Sequence, residues 1–275
     1  MTSTSDASKD HEKDAPAPAK LVPGRSKRSR LRRVFKWLGI GLALLVSAVL
    51  VVAWAMNEPR PQTGATGERP DELAHEVEAA TGQAAWQDLG AIKWTFDGRR
   101  QHLWDRTRGY DRIRDGESEV LLRIGDGTGI ARRGGELLSG ATAQEALSKA
   151  QSAFFNDSYW LNPFSKLFDP GVTRSIITTE RGEALFIEFA SGGATPGDAY
   201  AIYLDANHRP EHWQMWVTIL PIGGVGVTWA GWRDIGGGAM SAGAHTMGPI
   251  TLRLTGVRAA GSVEELEHDP FPQLE

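Results

Sequence analysis

Residues 91–127 read AIKWTFDGRRQHLWDRTRGYDRIRDGESEVLLRIGDG, and the fold class turns on this stretch. Ile92, Trp94 and Phe96 alternate with Lys93 and Thr95 until Asp97-Gly98 turns the chain. The return strand carries His102 and Trp104, Arg108-Gly109 and Asp115-Gly116 turn again, and Val120, Leu122 and Ile124 alternate before Asp126-Gly127. Apolar residues at period two place one face of a strand against a core, and Asp-Gly between such runs is the strongest short-range hairpin signal. The stretch predicts an antiparallel meander.

Towards the C-terminus a helix interrupts the strands. Thr142 with Glu145 makes a capping box, and Ala143, Leu147, Ala150 and Phe154 form an apolar stripe. Asn156-Asp157-Ser158 is expected to stop this helix, leaving an aromatic loop from Phe154 to Gly171. Strands then resume at 176–179, with inward sets Leu185/Ile187/Phe189, Ile202/Leu204, Trp213/Met215/Val217/Ile219, Val225/Val227/Trp229 and Ile250/Leu252/Leu254. Turns fall at 192–198, 207–210 and 236–238, and the strand total is about eleven. Residues 262–275 read as a loose acidic tail with Phe271 tucked in.

Towards the N-terminus, Pro70 and Gly82 bracket an amphipathic helix bearing Leu73, Val77 and Ala80. Residues 57–69 (NEPRPQTGATGER) read as a Pro/Gly/Thr linker. Fully extended, it would reach only about 45 Å. Before it lies WLGIGLALLVSAVLVVAWAM, Trp37 to Met56, which is uncharged and has Trp near both ends. A helix of that length matches the ~30 Å apolar layer of a bilayer. Arg25, Lys27, Arg28, Arg30, Arg32, Arg33 and Lys36 precede it, so the positive-inside rule places residues 1–33 in the cytoplasm and the rest outside. The competing reading is a cleaved secretory signal. Signal h-regions are shorter, however, and this run ends without a good small-x-small site.

Domain organisation follows: a disordered basic cytoplasmic tail (1–33), a transmembrane helix (34–56), a linker (57–69), an outer domain (70–261) and the acidic tail (262–275). Up to Lys36 ten Lys/Arg face four Asp/Glu, a net charge of +6, leaving −10 for the remainder. The acidic outer part argues against nucleic acid, which needs a basic face. With no cysteine, disulfides, thiolate catalysis and Cys-based zinc sites are excluded.

No local motif carries catalysis. Gly223-Gly224-Val225-Gly226 and Gly125–Gly129 lack the third glycine or the Gly-Lys-Ser/Thr of phosphate loops. His208 and His212 have Pro210 between them and no third zinc ligand. Met240, His245 and Met247 are soft donors but scattered. His102 and Asp105 stand three apart in a strand and point to opposite faces. Ser241 lies outside any G-x-S-x-G elbow. The chain therefore reads as a non-enzyme with no cofactor or metal. Convergence of His102, Asp105 or Glu188 in a cleft is what would argue otherwise.

Eight of the ten tryptophans follow Met56. At period two they either pack a core or line a concave interior. The second reading makes Trp94, Trp104, Trp160, Phe164, Trp213 and Trp229 candidate ligand-binding residues, with Tyr159–Phe168 as rim or lid.

Asn156-Asp-Ser-Tyr-Trp-Leu161, Pro163-Phe164, Leu167-Phe-Asp-Pro-Gly171 and Thr195-Pro-Gly-Asp-Ala-Tyr200, with the order helix, meander, helix, strands, resemble an uncharacterised branch of the lipoprotein-localisation (LolA/LolB-like) superfamily over Pro70 to Val257. The resemblance implies an α+β fold in which a curled antiparallel sheet, a half-open β-barrel with a few covering helices, holds acyl chains or a lipidated partner. Unlike the soluble or lipid-anchored carriers, this chain reads as tethered to a bacterial inner membrane with its domain in the periplasm. The partners expected are that membrane and a lipid or lipoprotein ligand. The alternative is an envelope sensor or assembly module that binds a protein partner.

Overall fold

The computed structural model describes residues 27–190 and 197–275, and for residues 27–34, 49 and 53 the backbone only. Residues 1–26 of the tail, and the 192–198 turn apart from Gly197 and Asp198, lie outside the described residues, while residues 27–33, expected to be disordered, are helical and lengthen the span expected at 34–56. The chain divides into two units, Met1–Val52 and Ala53–Glu275.

The first unit holds most of helix α1 (Lys27–Met56). Its segment Phe35–Met56 spans 22 residues, and the most apolar window in it has mean hydropathy 2.5 and is not buried at all. By length and composition it can cross a membrane.

The second unit is α+β and dominated by antiparallel sheets. Strands β1 (Ala91–Phe96), β2 (Arg100–Asp105), β3 (Tyr110–Asp115), β4 (Ser118–Arg123), β5 (Gly129–Arg133) and β6 (Glu136–Leu137) form the predicted meander. Asp97 and Gly98 both take positive φ, 48° and 66°, as the first hairpin demands. On the far side of β1 lie β15 (Ile250–Ala260) and then β14 (Ala244–Met247), giving the order β14-β15-β1-β2-β3-β4-β5-β6. A second sheet has the order β11-β10-β9-β8-β7, from β7 (Val172–Thr179), β8 (Gly182–Phe189), β9 (Ala199–Leu204), β10 (Pro210–Trp216) and β11 (Val225–Thr228). A small hairpin pairs β12 (Arg233–Gly236) with β13 (Ala239–Ser241). An antiparallel bridge, Ala230 to Ala244, links the chain just beyond β11 to β14. Among the described residues there are fifteen strands rather than eleven. The extra ones are short pieces such as β6, β12 and β13, too brief to show a period. Among the described residues the strands do not close into a barrel.

Helices α2 (Glu68–Ala80), α3 (Gln83–Asp88) and α4 (Gly140–Leu161) cover the sheets. The sequence reading missed α3. Gly82 starts it in the left-handed conformation, and any Cβ there would meet the Gly238 carbonyl oxygen at 2.1 Å. Helix α4 begins at an N-cap on Ser139, so Thr142 is not the cap. It then runs through Asn156-Asp157-Ser158 to Leu161 instead of stopping. The expected rim or lid at 159–168 is mostly helix end and 3-10 turn (Pro163–Lys166), with Leu161, Phe164 and Leu167 all at 2% exposure or less.

Two apolar cores result. One joins Trp86, Ile92, Trp94, Phe96, Leu122 and Phe154 between the larger sheet, α3 and α4. The other joins Leu73, Val77, Phe164, Leu185, Ile202 and Trp213 between α2 and the smaller sheet. The inward assignments hold except at the ends: Ile219 lies beyond β10 and is 75% exposed, and Ile250 opens β15 at 60%.

Both chain segments read as loose are docked. In the tail, Phe271 and Leu274 are buried against Leu103 and Leu121, while Asp269 and Glu267 pair with Arg108 and Arg112. Glu267 and Asp269 thus have fixed partners and two apolar side chains are buried, so the tail packs on the sheet. In the stretch read as a linker, Arg60 and Thr63 bind Glu188 at 2.6 Å each, and Ala65 pairs with Ile176 of edge strand β7. Residues 57–65 thus cross the smaller sheet, leaving little free tether.

Candidate functional site

Helix α4 meets both cores in its last turn, and that turn organises the site. Locally, Asn-Asp-Ser opposes helix continuation because the side chains compete for backbone groups. Here Asp157 is occupied elsewhere. Its Oδ2 accepts from Arg100 Nε at 2.6 Å and from His102 Nε2 at 3.0 Å, and its Oδ1 accepts from Arg100 Nη2 at 2.7 Å and Asn156 Nδ2 at 2.8 Å. His102 Nδ1 donates to Asp111 Oδ2 at 2.9 Å, and the imidazole stacks on Trp94 at 4.3 Å. The His102, Asp111 and Asp157 side chains are all fully buried.

Burial alone would depress His102, but the Asp111 charge and hydrogen bonds to both carboxylates outweigh it and raise the pKa from 6.5 to about 9. For Asp157, burial acts upward, and the hydrogen bonds from His102, Arg100 and Asn156 prevail and lower its pKa. The His102 imidazolium therefore pins α4 to β2 and β3 between Asp157 and Asp111, although burial, opposed by the His102 charge, raises the Asp111 carboxyl above its ordinary value. The group lies in no cleft and holds no nucleophile. Asp105, the sequence neighbour, pairs instead with Arg108 at 2.6 Å.

One turn further on, Trp160 is half-buried and packs against both cores. Its ring centroid lies 5.3 Å from His245, 5.7 Å from Trp213 and 6.3 Å from Trp229. Trp213 and Trp229 meet edge-on at 4.6 Å, and Phe164 meets Trp229 at 4.9 Å. Of the six candidate residues, Trp160, Phe164, Trp213 and Trp229 thus come together. Trp94 and Trp104 do not. They lie in the other core, Trp94 on His102 and Trp104 edge-on to Phe154 at 5.2 Å. The gathered rings fill the space between them with side chains.

Tyr159, Tyr200, Trp232 and His245 complete the cluster and were missed as a group. Tyr200 packs on Trp213 at 4.9 Å and Trp232 on Trp229 at 6.0 Å. The Tyr159 and Tyr200 rings lie 6.0 Å apart, and burial raises both phenols, Tyr200 to about 12. Asp198 accepts from the Thr218 N–H at 2.9 Å. The two motifs quoted above thus meet in space, Tyr159 and Trp160 from one and Asp198 and Tyr200 from the other. That coincidence was the available signal.

The cluster also contains polar atoms with nothing to bind. Among the described residues, Trp213 Nε1, Trp229 Nε1 and both nitrogens of His245 are buried without a hydrogen-bond partner. Each such atom costs about 1–3 kcal/mol. Burial lowers His245 to about 4, the nearby Thr228 backbone acting weakly the other way.

These two histidines set opposite pH dependences. His102, raised in the folded state, contributes stability that is complete below pH 6.5 and is lost as pH climbs through about 9. His245, lowered in the folded state, costs stability as pH falls from 6.5 towards 4, where only the unfolded chain gains the proton. Stability should peak near pH 6.5 and fall by roughly 3 kcal/mol by pH 9. Chemical denaturation across that range checks it, and His102→Gln should abolish most of the alkaline fall. An equal fall in that variant would contradict the assignment.

Compared with known proteins, the chain matches no family model and no curated sequence.

Proposed function

We propose that this chain is a single-pass protein of a bacterial inner membrane, its N-terminus cytoplasmic, whose periplasmic domain binds a lipid, acyl chain or lipidated partner. On this reading the two sheets, linked at Ala230–Ala244, act as one curled half-open barrel of the LolA/LolB-like kind. The observation that carries the proposal is the cluster around Trp160. Many aromatic faces there surround buried indole N–H groups that lack an acceptor. An acyl lipid supplies both complements: a chain for the rings and an ester or carboxyl oxygen for the N–H groups. Because the rings fill the site, entry requires a half-buried member to swing aside, and we assign this role to Trp160, which touches both cores. Sheltering ~400 Å2 of chain would contribute roughly 10 kcal/mol before ordering costs.

The test is photolabelling of the full chain in nanodiscs with a diazirine-bearing acyl lipid. Label on Trp160, Phe164, Trp213 or Trp229 is expected. Label absent from the domain interior overturns the proposal and favours the reading in which the domain binds a protein partner.

A further inference from the structure

We propose that the turn after β10, residues 217–224, rests in the headgroup layer of the membrane that α1 spans; the inference rests on the anchor reading above. The turn reads VTILPIGG, and no Asp, Glu, Lys or Arg occurs anywhere between Glu211 and Arg233. It projects past the last paired residues of its hairpin, with Met215 opposite Val225 and the Leu220 N–H closing on the Val217 carbonyl at 3.0 Å. At its tip Ile219 is 75% exposed. A lone exposed isoleucine is unremarkable on a soluble surface. What gives this one a partner is its attachment.

Asn57 and Glu58 are the first two residues after the last residue of α1, Met56, and both are clamped to this turn. Asn57 Oδ1 accepts from the Gly223 N–H at 2.8 Å, and the Glu58 N–H donates to the Gly223 carbonyl at 3.1 Å. Below the turn, Gln214 Nε2 donates to Glu58 Oε2 at 2.7 Å and Trp216 Nε1 to the Glu58 carbonyl at 2.9 Å. Trp54, 81% exposed, stands three residues before Asn57. Tryptophans flanking a membrane span sit at the headgroup level. Three residues of helix advance the chain by only about 4.5 Å, which is within the interfacial layer. The clamp therefore holds an uncharged apolar turn where the anchor leaves the apolar layer. Ile250, 60% exposed, opens β15 at the same end, because β14 pairs alongside the end of β11 and turns at 247–250. Together these residues would seat the domain on the bilayer in one orientation.

The chain has no cysteine, so single labels can be placed directly. The full chain in nanodiscs would carry an environment-sensitive fluorophore at Ile219→Cys, with Leu44→Cys as the membrane reference. Asn207→Cys, on the exposed turn between β9 and β10 at the opposite end of the sheet, serves as the aqueous reference. The probe at 44 and at 219, but not at 207, should be blue-shifted by its apolar surroundings and quenched by nitroxide-bearing lipids. Pro221→Cys, also exposed, should repeat the result if the isoleucine itself matters to the turn. Quenching at 44 with positions 219 and 221 as unquenched as 207 overturns the membrane contact alone. No quenching at 44 removes the anchor reading and the contact with it.

Discussion

Asp157→Ala should lower the stability of the outer domain by about 3–5 kcal/mol, the cost of leaving a buried charge pair half-made. The variant strips His102 and Arg100 of their shared carboxylate, while the His102 side chain keeps its zero exposure and its remaining bond to Asp111. It also frees the last turn of α4, where Asn-Asp-Ser then regains its local preference against helix. For a unit of this size, the thermal midpoint should fall by about 10 °C. Asp157→Asn, which keeps shape and some hydrogen bonding, should lie between. In Asp157→Ala the His102 pKa should drop, readable by NMR of the imidazole. A loss under about 1 kcal/mol would mean that the network contributes little beyond its own desolvation cost.

The second large effect belongs to Trp213→Ala. This side chain is 1% exposed and meets Tyr159, Trp160, Phe164, Tyr200 and Trp229. Removing such a ring from a filled core costs about 3–5 kcal/mol, through lost burial and the void left behind. Denaturant unfolding would measure it. Trp104→Ala, at a half-buried edge, should cost distinctly less. If the two variants cost the same, the rings around Trp213 are not the packed centre described here.

Much of the fold was legible because the signals were local. Asp97-Gly98 and the alternation Ile92/Trp94/Phe96 define β1 and its turn within eight residues. The same holds for Leu185/Ile187 and Trp213/Met215 in β8 and β10, whose side chains share one core. Period two, however, assigns a face and not a sheet. Trp94 and Trp213 carry the same pattern, yet they lie in different cores. What escaped the sequence was non-local. Asp157 finds His102 across 55 positions, and that contact overrides the helix-stop reading of Asn156-Asp157-Ser158. Residues 57–65 look like a linker by composition, but their hydrogen-bond partners sit on β7, β8 and β10. The tail shows the same thing from the other end. Its acids suggested solvent until Arg108 and Arg112 supplied partners.

The aromatic site was legible in kind and not in membership. Trp160, Phe164, Trp213 and Trp229 were all named from composition and spacing. His245, considered only as a soft-metal donor, instead lies 4.3 Å from Trp229 with both nitrogens unpartnered. No one-dimensional pattern announces a histidine that is buried without hydrogen bonds.

The most direct measurement is where a diazirine acyl lipid attaches to the full chain in nanodiscs, resolved to single residues by mass spectrometry. Lipid-binding by the aromatic interior predicts label on Trp160, Phe164, Trp213 or Trp229, competed by unlabelled fatty acid and reduced in Trp160→Phe. Label confined to residues 35–56 and the 217–224 turn, with the interior untouched, would contradict it.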